Sequence, residues 1–184
     1  MFKQFYPYEY VNSVFLIDYK KLFDKGYRGI LFDIDNTLVP HGEDSTEEID
    51  ELFKTVHDAG LKTLLLSNNS EERIQSFLEN IDSLYIYDAQ KPEVANFLKA
   101  IALLGMKKEE VVCIGDQIFT DIYGANKIGI ASILVRYIGY GDGRKIGIKR
   151  NLEKVILSFY RMNTSSQNRI GDIYQKECPA DAVE

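Results

Sequence analysis

The chain has 184 residues, of which 45% are hydrophobic and 27% charged, and its formal net charge is −6 at pH 7. This length and composition are typical of one globular domain with a sizeable core, and the acidic balance argues against general nucleic-acid binding. No stretch approaches the roughly 20 apolar residues of a membrane-spanning helix, and the first residues lack the apolar segment of a secretory signal, so we expect a cytoplasmic protein.

The N-terminal residues 1–28 are rich in aromatic side chains. We predict that this extension packs on one edge or face of the core, and a patch that faces a membrane or a partner is the alternative. Within it, Asp18 is a candidate N-cap for a short helix that runs through Phe23 and ends at Gly26.

An apolar run near residue 30 ends abruptly in two carboxylates. The run Ile30 to Phe32 is typical of a fully buried strand, because β-branched and aromatic residues fill consecutive positions. Asp33 and Asp35 follow directly, and in an extended chain their side chains lie on the same side. Two like charges at the end of a buried strand are costly unless a positive charge neutralises them. A divalent cation is the natural partner for this pair.

Beyond this strand, segments with strand character alternate with segments of helical character. Candidate helices occupy 46–59, 70–79, 92–104, 120–128 and 144–161, and candidate strands occupy 61–66, 84–87, 111–114 and 132–135. The alternation predicts parallel strands with right-handed crossovers, and therefore an α/β fold with helices on both faces of a mainly parallel sheet.

The composition changes again towards the C-terminus, where residues from about 162 onward are polar and predict a loose tail. We therefore divide the chain into an extension of residues 1–28, a domain of residues 29–161 and a flexible tail of residues 162–184. The two cysteines lie in different surroundings, Cys113 in an apolar run and Cys178 in the tail, so we expect no structural disulfide.

Polar side chains follow four of the predicted strands at the point where each strand ends. They are Asp33 and Asp35, then Ser67 and Asn68, then Lys91, and finally Asp116 with Asp121 five residues further on. The carboxyl ends of parallel strands meet at one edge of the sheet, so we expect these side chains to share a crevice. Carboxylates for a hard cation, a hydroxyl, an amide and one fixed positive charge are typical of a phosphoryl-transfer site.

Each residue of this set also has a purely structural interpretation. Asp35 or Asp121 could cap a following helix, and Ser67 could be an ordinary turn residue. These interpretations do not explain why all of the residues fall at strand ends. Lys91 is the single cation among the clusters. The two histidines, at positions 41 and 57, have no carboxylate or cysteine at metal-ligand spacing, and we assign them no role.

The same stretches carry a family resemblance. Asp33-Ile34-Asp35-Asn36-Thr37, Ser67, Lys91-Pro92 and the run from Gly115 to Asp121 resemble, in order and spacing, motifs I to IV of the haloacid dehalogenase (HAD) superfamily. Asp-Asn-Thr-Leu-Val, Gly-Asp-Gln-Ile-Phe-Thr-Asp and the later Lys-Arg-Asn-Leu-Glu-Lys-Val-Ile-Leu are similar to the YqeG-type branch of its subfamily IIIA phosphatases. The resemblance implies a Rossmann-like core and a Mg²⁺-dependent phosphatase.

The resemblance also implies the roles of the two aspartates after the first strand. Asp33 would be the nucleophile that forms an aspartyl-phosphate, and Asp35 would be the general acid and base. Mg²⁺ would bind Asp33, the backbone carbonyl of Asp35 and Asp116.

The remaining residues of the set would support this chemistry. Ser67 and Lys91 would bind the phosphoryl oxygens, with Asn68 as a supporting residue of the phosphate site. Asp121 would hold a metal-bound water or orient Lys91.

Insertions that would form a cap domain are missing from the sequence. The first gap, 38–45, is long enough only for a loop, and the second, 69–90, is filled by one helix and one short strand. A capless site needs a partner, an oligomer or the bulk of the substrate to exclude water, which favours a large substrate or a phosphate at a membrane surface.

The segment 144–161 bears on the choice of substrate because it combines an apolar face with many basic residues. The apolar face is Ile148, Leu152, Val155, Ile156 and Phe159, and the basic residues are Lys145, Lys149, Arg150, Lys154 and Arg161. This helix either packs on the sheet with a solvated basic face or meets an anionic lipid surface.

Relatives of the YqeG type in mitochondria and chloroplasts are phosphatidylglycerophosphate phosphatases, and the resemblance makes that lipid the leading substrate. Another large or macromolecular phosphate is the first alternative. A second is a non-catalytic binding or regulatory protein that retains the site. A receiver domain fits less well, because its phosphorylated aspartate stands alone after a middle strand, whereas Asp33 belongs to the first Asp-x-Asp. The oligomeric state stays open.

Overall fold

The computed structural model describes residues 2–139 and 148–175. Its strands are β1 (Glu9–Val11), β2 (Gly29–Phe32), β3 (Lys62–Leu66), β4 (Leu84–Ile86), β5 (Val111–Gly115) and β6 (Ala131–Val135). These six strands form one sheet in the order β1-β6-β5-β2-β3-β4, and every neighbouring pair is parallel. The first predicted core strand, β2, lies at the centre between β3 and β5.

The helices of the described chain alternate with the strands. They are α1 (Tyr19–Asp24), α2 (Glu47–Asp58), α3 (Glu71–Phe77), α4 (Val94–Leu104), α5 (Tyr123–Ile128) and α6 (Ile148–Met162). Side chains of Asp18, Thr46 and Ser70 accept hydrogen bonds from backbone N–H groups in the first turns of α1, α2 and α3. Such caps satisfy N–H groups that the helix leaves unpaired.

Helices cover both faces of the sheet. Alternate residues of each strand point to opposite sides, so each strand contributes side chains to both helical layers. On one face, Ile30 and Phe32 pack with buried residues of α1, α2 and α3 in one hydrophobic cluster. On the other, Leu31 and Cys113 pack with buried residues of α4 and α5. The predicted α/β fold, with a parallel sheet between two helical layers, is confirmed.

The N-terminal segment and the residues after α6 pack against each other at the β1 edge. The backbone N–H of Asp18 donates to the carbonyl of Ile173 at 2.7 Å, and Ile17 pairs with Tyr174 in an isolated antiparallel bridge. Ile173 is fully buried in the core. Residues 163–175 therefore differ from the expected loose tail, whereas residues 176–184 of that prediction lie outside the described residues.

Three expected element boundaries shift. Helix α4 begins at Val94 after a cis Lys91–Pro92 bond, so Pro92 precedes the helix instead of occupying its first turn. The helix expected at 120–128 begins earlier, with one π-helical turn at Ile118–Ile122 that continues into α5. The last helix is described from Ile148, and residues 144–147 of the predicted segment lie outside the described residues.

The predicted apolar face of the last helix is only partly buried. Of its five predicted members, Ile156 packs in the core, together with Tyr160, while the other four are exposed. Of the two expectations for this helix, packing on the sheet therefore accounts for Ile156 but not for the four exposed side chains.

The connections above the carboxyl edge of the sheet are short. Between β2 and α2 the chain forms only a loop, and between β3 and β4 it forms α3 and its flanking turns. The described chain therefore has no cap inserted at either place. No helix among residues 2–139 and 148–175 is long and apolar enough to cross a membrane.

Candidate active site

The four strand ends meet at the carboxyl edge as predicted from their order. The N–H of Asp33 donates to the carbonyl of Ile114 on β5 at 3.0 Å, and the N–H of Ser67 donates to that of Ile86 on β4 at 3.1 Å. These bonds align the ends of adjacent strands at the same edge of the sheet. A cleft of about 230 Å³ opens above them, lined by Asp33, Asp35, Asn36, His41, Ser67, Asn68, Asn69, Lys91, Gln117, Thr120 and Arg150.

Lys91 lies at the floor of this cleft between two carboxylates. Its Nζ is 2.6 Å from Asp33 Oδ1 and 2.6 Å from Asp121 Oδ1, and its side chain is only 4% exposed. Burial lowers the pKa of Lys91, but the adjacent Asp121 and Asp33 carboxylates outweigh burial and hold the pKa above its usual value. The lysine is therefore a fixed positive charge.

The Asp121 side chain lies directly against the main chain at position 115, where only a glycine fits. A Cβ at Gly115 would collide with the Asp121 carboxyl group. Asp121 also accepts hydrogen bonds from the N–H of Gln117 at 3.1 Å and from the hydroxyl of Thr120 at 3.3 Å. The close approach and these bonds fix the carboxylate that orients Lys91.

Asp116, which directly follows β5, contacts the last helix. Arg150 Nη2 donates to Asp116 Oδ2, and Arg150 Nη1 donates to the Asp116 backbone carbonyl at 2.7 Å. The same Nη1 lies 3.0 Å from Glu153 Oε2. Glu153 is buried, and its Oε1 accepts from the N–H groups of Ile118 at 2.8 Å and Phe119 at 3.4 Å. Helix α6 is thereby attached to Asp116 and to the first residues of the following helical turn, Ile118 and Phe119.

Three carboxylates form a group that fits a metal ion. One oxygen each of Asp33, Asp116 and Asp121 lie within 4.8 Å of one another. Burial raises the pKa of Asp33 to about 6 despite the nearby charge of Lys91. Burial and the Asp33 carboxylate also raise the pKa of Asp116 well above its usual value, despite the charge of Arg150. Crowded oxygen ligands with too little positive charge around them suit a hard divalent cation.

Asp35 faces away from this group. Its Oδ2 accepts from Asn69 Nδ2 at 2.9 Å and lies 2.9 Å from His41 Nδ1, while its Oδ1 is 3.2 Å from Arg73 Nη2. Burial raises the pKa of Asp35, but the hydrogen bonds from Asn69 and Gly42 and the charge of Arg73 outweigh it, so the pKa lies below its usual value. The Asp35 side chain is thus outside the carboxylate cluster.

Ser67 and Asn68, which follow β3, also line the cleft. Ser67 is buried, and its hydroxyl accepts from the N–H of Asn69 at 3.2 Å. Asn68 Oδ1 accepts from the backbone N–H of Lys91 at 2.8 Å. Asn68 therefore positions the lysine through its main chain.

Sequence reasoning missed four side chains of the site: His41, Arg73, Arg150 and Glu153. The prediction that Lys91 is the single cation among the clusters is wrong, because Arg150 contacts Asp116 and Arg73 contacts Asp35. His41, for which the sequence indicates no role, pairs with Asp35. The position of Arg73 one turn after the Ser70 cap is a usable signal, since the first turn of α3 points back at the carboxyl edge of the sheet.

An open parallel sheet with carboxylates and a buried lysine at its carboxyl edge is typical of phosphate-transferring enzymes. A family model of haloacid dehalogenase-like hydrolases matches residues 41–129. The chain is 38% identical over 160 residues to Probable phosphatase YqeG of Bacillus subtilis (strain 168), covering 86% of this chain and 93% of that protein. The chain therefore belongs to the haloacid dehalogenase-like hydrolases and is a phosphatase of the YqeG type.

Other similarities are more distant. Glyceraldehyde 3-phosphate phosphatase of Pyrococcus furiosus is 29% identical over 69 residues, which cover 38% of this chain and 29% of that protein. A solved structure of a protein from Listeria monocytogenes serotype 4b is 18% identical, with a TM-score of 0.52, and the match covers 74% of this chain and 99% of that one. This structural match supports the fold alone.

Proposed function

We propose that the protein is a Mg²⁺-dependent phosphomonoester hydrolase that acts through an aspartyl-phosphate on Asp33. The observation that carries the proposal is the setting of this carboxylate at the floor of the cleft. Lys91 lies 2.6 Å from its Oδ1, and Thr37 donates a hydrogen bond to its Oδ2 at 3.0 Å. A carboxylate fixed in this way has one orientation and an adjacent positive charge, as in-line attack on phosphorus requires.

In the first half-reaction an Asp33 oxygen attacks the phosphorus atom, and the bond between phosphorus and the leaving oxygen breaks. Lys91, together with the hydroxyl of Ser67 and the amide of Asn68, faces the phosphoryl oxygens and offsets their charge. Asp35 is the group placed to give a proton to the leaving oxygen. The incoming phosphate is itself an anion, and a like charge beside Asp35 raises its pKa towards the protonated form.

In the second half-reaction a water molecule attacks the phosphorus atom, the bond to Asp33 breaks, and inorganic phosphate leaves. Asp35 removes the proton from that water. Asn69, Gly42 and Arg73 hold the pKa of Asp35 below its usual value, so the free carboxylate is ready to accept this proton. His41 and Arg73 act on Asp35 as positioning residues, because both contact its carboxylate.

Mg²⁺ bound by Asp33, Asp116 and the backbone carbonyl of Asp35 would supply charge neutralisation for the phosphoryl group. Asp121, the third carboxylate of the group, lies within reach of the same place. Its 2.6 Å contact with Lys91 assigns it first to orienting the lysine.

The mechanism is tested by Asp33→Asn, with the exposed Asp82→Asn as the matched control. We expect Asp33→Asn to lower kcat on an aryl phosphate by at least about 10³-fold, since the nucleophile is lost. The control should keep full activity. Chelation of metal ions should abolish the activity of the wild type, and added Mg²⁺ should restore it. Acid-quenched wild type should carry a phosphoryl group that hydroxylamine removes, and unchanged turnover by Asp33→Asn would refute the mechanism.

For the substrate, we propose phosphatidylglycerophosphate, the lipid to which the family resemblance points. The cleft of about 230 Å³ is smaller than sites that enclose a whole ligand. It accommodates a phosphate group and leaves the remainder of the substrate outside, as a lipid anchored in a membrane would be. A cytoplasmic protein that acts at the membrane surface fits this substrate.

The substrate is tested by comparing turnover of phosphatidylglycerophosphate with that of sugar, nucleotide and protein phosphates in Mg²⁺ buffer. We expect the highest kcat/KM for the lipid. Equal or faster turnover of a small soluble phosphate would refute the lipid assignment. Faster turnover of a phosphoprotein would favour the alternative of another macromolecular substrate, and no turnover of any phosphate would favour a binding protein that retains the site.

A further inference from the structure

Helix α6 carries a stripe of large apolar side chains that face solvent. They are Ile148 (89% exposed), Leu152 (52%), Val155 (50%), Phe159 (46%) and Met162 (79%). Their spacing of four, three, four and three residues places all five on one side of the helix. With 15 residues the helix is about 22 Å long, so the stripe, which we call the α6 stripe, runs along its full length.

The α6 stripe is separate from the face that attaches the helix to the fold. Glu153, Ile156 and Tyr160 are the buried residues of α6, and they lie about 100° around the helix axis from the stripe. Phe2 stacks on Phe159 with 5.8 Å between ring centroids and is itself exposed, which widens the apolar surface. The helix therefore has two apolar faces, and the core uses one of them.

The charges that flank the α6 stripe are positive. Lys149, Lys154 and Arg161 are exposed on α6, whereas the acidic residue of the helix, Glu153, is buried and paired with Arg150. On the helical wheel Lys149 lies about 100° to one side of the stripe, and Lys154 and Arg161 lie about 120–140° to the other. Apolar side chains between basic side chains are the pattern of helices that lie in the interface of an anionic membrane.

The concentration of basic residues on α6 is informative because the chain as a whole is acidic. The whole chain carries −6, yet the exposed charges of α6 are all basic. A second copy of the chain seated on the stripe would bring the same lysines towards each other, which is unfavourable. An anionic bilayer offers both an apolar interior for the stripe and negative head groups for its borders.

We infer that α6 docks on the surface of an anionic phospholipid bilayer, with the α6 stripe inserted between the head groups and the basic residues in contact with them. The inference deepens the proposed function, because the same helix contributes Arg150 to the cleft, two residues after Ile148. Docking through α6 brings the protein to the membrane surface, where a lipid phosphate is presented.

The docking surface is tested by co-sedimentation of the full chain with vesicles of phosphatidylcholine alone or with 30% phosphatidylglycerol, a composition on the order of an anionic membrane. These vesicles contain no phosphomonoester, so binding is measured apart from catalysis. We expect binding to the anionic vesicles, weaker binding at high salt, and little binding to phosphatidylcholine alone. Wild type and Asp33→Asn should bind equally, which separates this inference from the proposed chemistry.

Leu152→Glu combined with Phe159→Glu places two charges in the α6 stripe and should weaken vesicle binding by at least about tenfold. The matched control is Leu98→Glu with Leu103→Glu on α4, whose side chains are as exposed. Lys154→Glu should weaken binding and reduce its salt dependence, whereas Lys99→Glu on α4 should not. Turnover of a soluble aryl phosphate should be unchanged in all four, which shows that they fold.

Three outcomes would overturn the inference. One is failure of wild type to bind anionic vesicles at low salt. Another is equal loss of binding in the α4 control. The third is light scattering that shows a dimer of wild type which the stripe variant dissociates, because the α6 stripe would then be an interface between two copies.

Discussion

Glu153 is the side chain through which α6 is joined to the active site, and its removal tests that connection. It is buried, and its Oε1 accepts from the N–H groups of Ile118 and Phe119 at 2.8 and 3.4 Å. Glu153→Ala leaves both donors without a partner. The shorter bond to a charged acceptor contributes about 2 kcal/mol and the longer about 1 kcal/mol. We therefore expect the free energy of unfolding to fall by about 3 kcal/mol.

Glu153→Gln separates the hydrogen bonds from the charge. The amide oxygen of glutamine still accepts from both N–H groups, and Arg150 keeps its contact with Asp116. Burial raises the pKa of Glu153 against the lowering effect of Arg150, so ionisation is less favourable in the folded than in the unfolded chain. Wild type should therefore lose stability relative to Glu153→Gln as the pH rises through this raised pKa. At pH 7 we expect Glu153→Gln to differ from wild type by less than about 1 kcal/mol.

Urea denaturation followed by circular dichroism measures these differences. For a chain of this length, 3 kcal/mol corresponds to a Tm lower by about 6–12 °C. The exposed Glu109→Ala is the matched control and should leave stability unchanged. A Glu153→Ala variant within about 1 kcal/mol of wild type would refute the reasoning. A Glu153→Gln variant as unstable as Glu153→Ala would show that the charge, and not the acceptor, holds the helix.

Two further substitutions address the floor of the cleft. Lys91→Met removes the positive charge between Asp33 and Asp121, and we expect kcat on an aryl phosphate to fall by about 10²–10³-fold. Lys99→Met, an exposed control, should have no effect. Equal kcat in the two variants would contradict the role of the Lys91 charge in catalysis. Gly115→Ala places a Cβ against the Asp121 carboxyl group, so we expect Asp121 to shift and Lys91 to lose its orientation. The kcat should then fall by about 10²-fold, while the far-UV circular dichroism spectrum is retained. Full activity would show that Asp121 can move without affecting catalysis.

Much of the site could be predicted because it depends on local rules. The side chains of Asp33 and Asp116 follow apolar runs whose strands could be recognised, and parallel strands bring their carboxyl ends together. Asp18 and Ser70 cap helices where the sequence places a capping residue before a helical segment. For these residues, the periodicity of apolar side chains and the position along the chain are sufficient to predict where they lie in the fold.

The last helix could not be predicted in the same way. Its apolar residues cover two adjacent faces, and the sequence alone does not say which face the core takes. The core takes Ile156 and Tyr160, while Leu152 and Phe159 stay exposed. The buried Glu153 would break any apolar pattern, because its place is set by two N–H groups more than 30 residues earlier. Such contacts depend on tertiary structure and leave no local signal.

The charge balance of the cleft connects these observations. Asp33, Asp116, Asp121 and Glu153 are four carboxylates in contact with two cations, Lys91 and Arg150. Fully ionised, the group has an excess of two negative charges, and a phosphate dianion would be repelled from it. A divalent cation cancels that excess, so metal should enter before substrate. Because Arg150 and Glu153 belong to α6, the helix that carries the exposed stripe is also part of the electrostatic setting of Asp33, the proposed nucleophile. The proposed docking of α6 would therefore act on a helix whose side chains take part in the charge balance of the cleft.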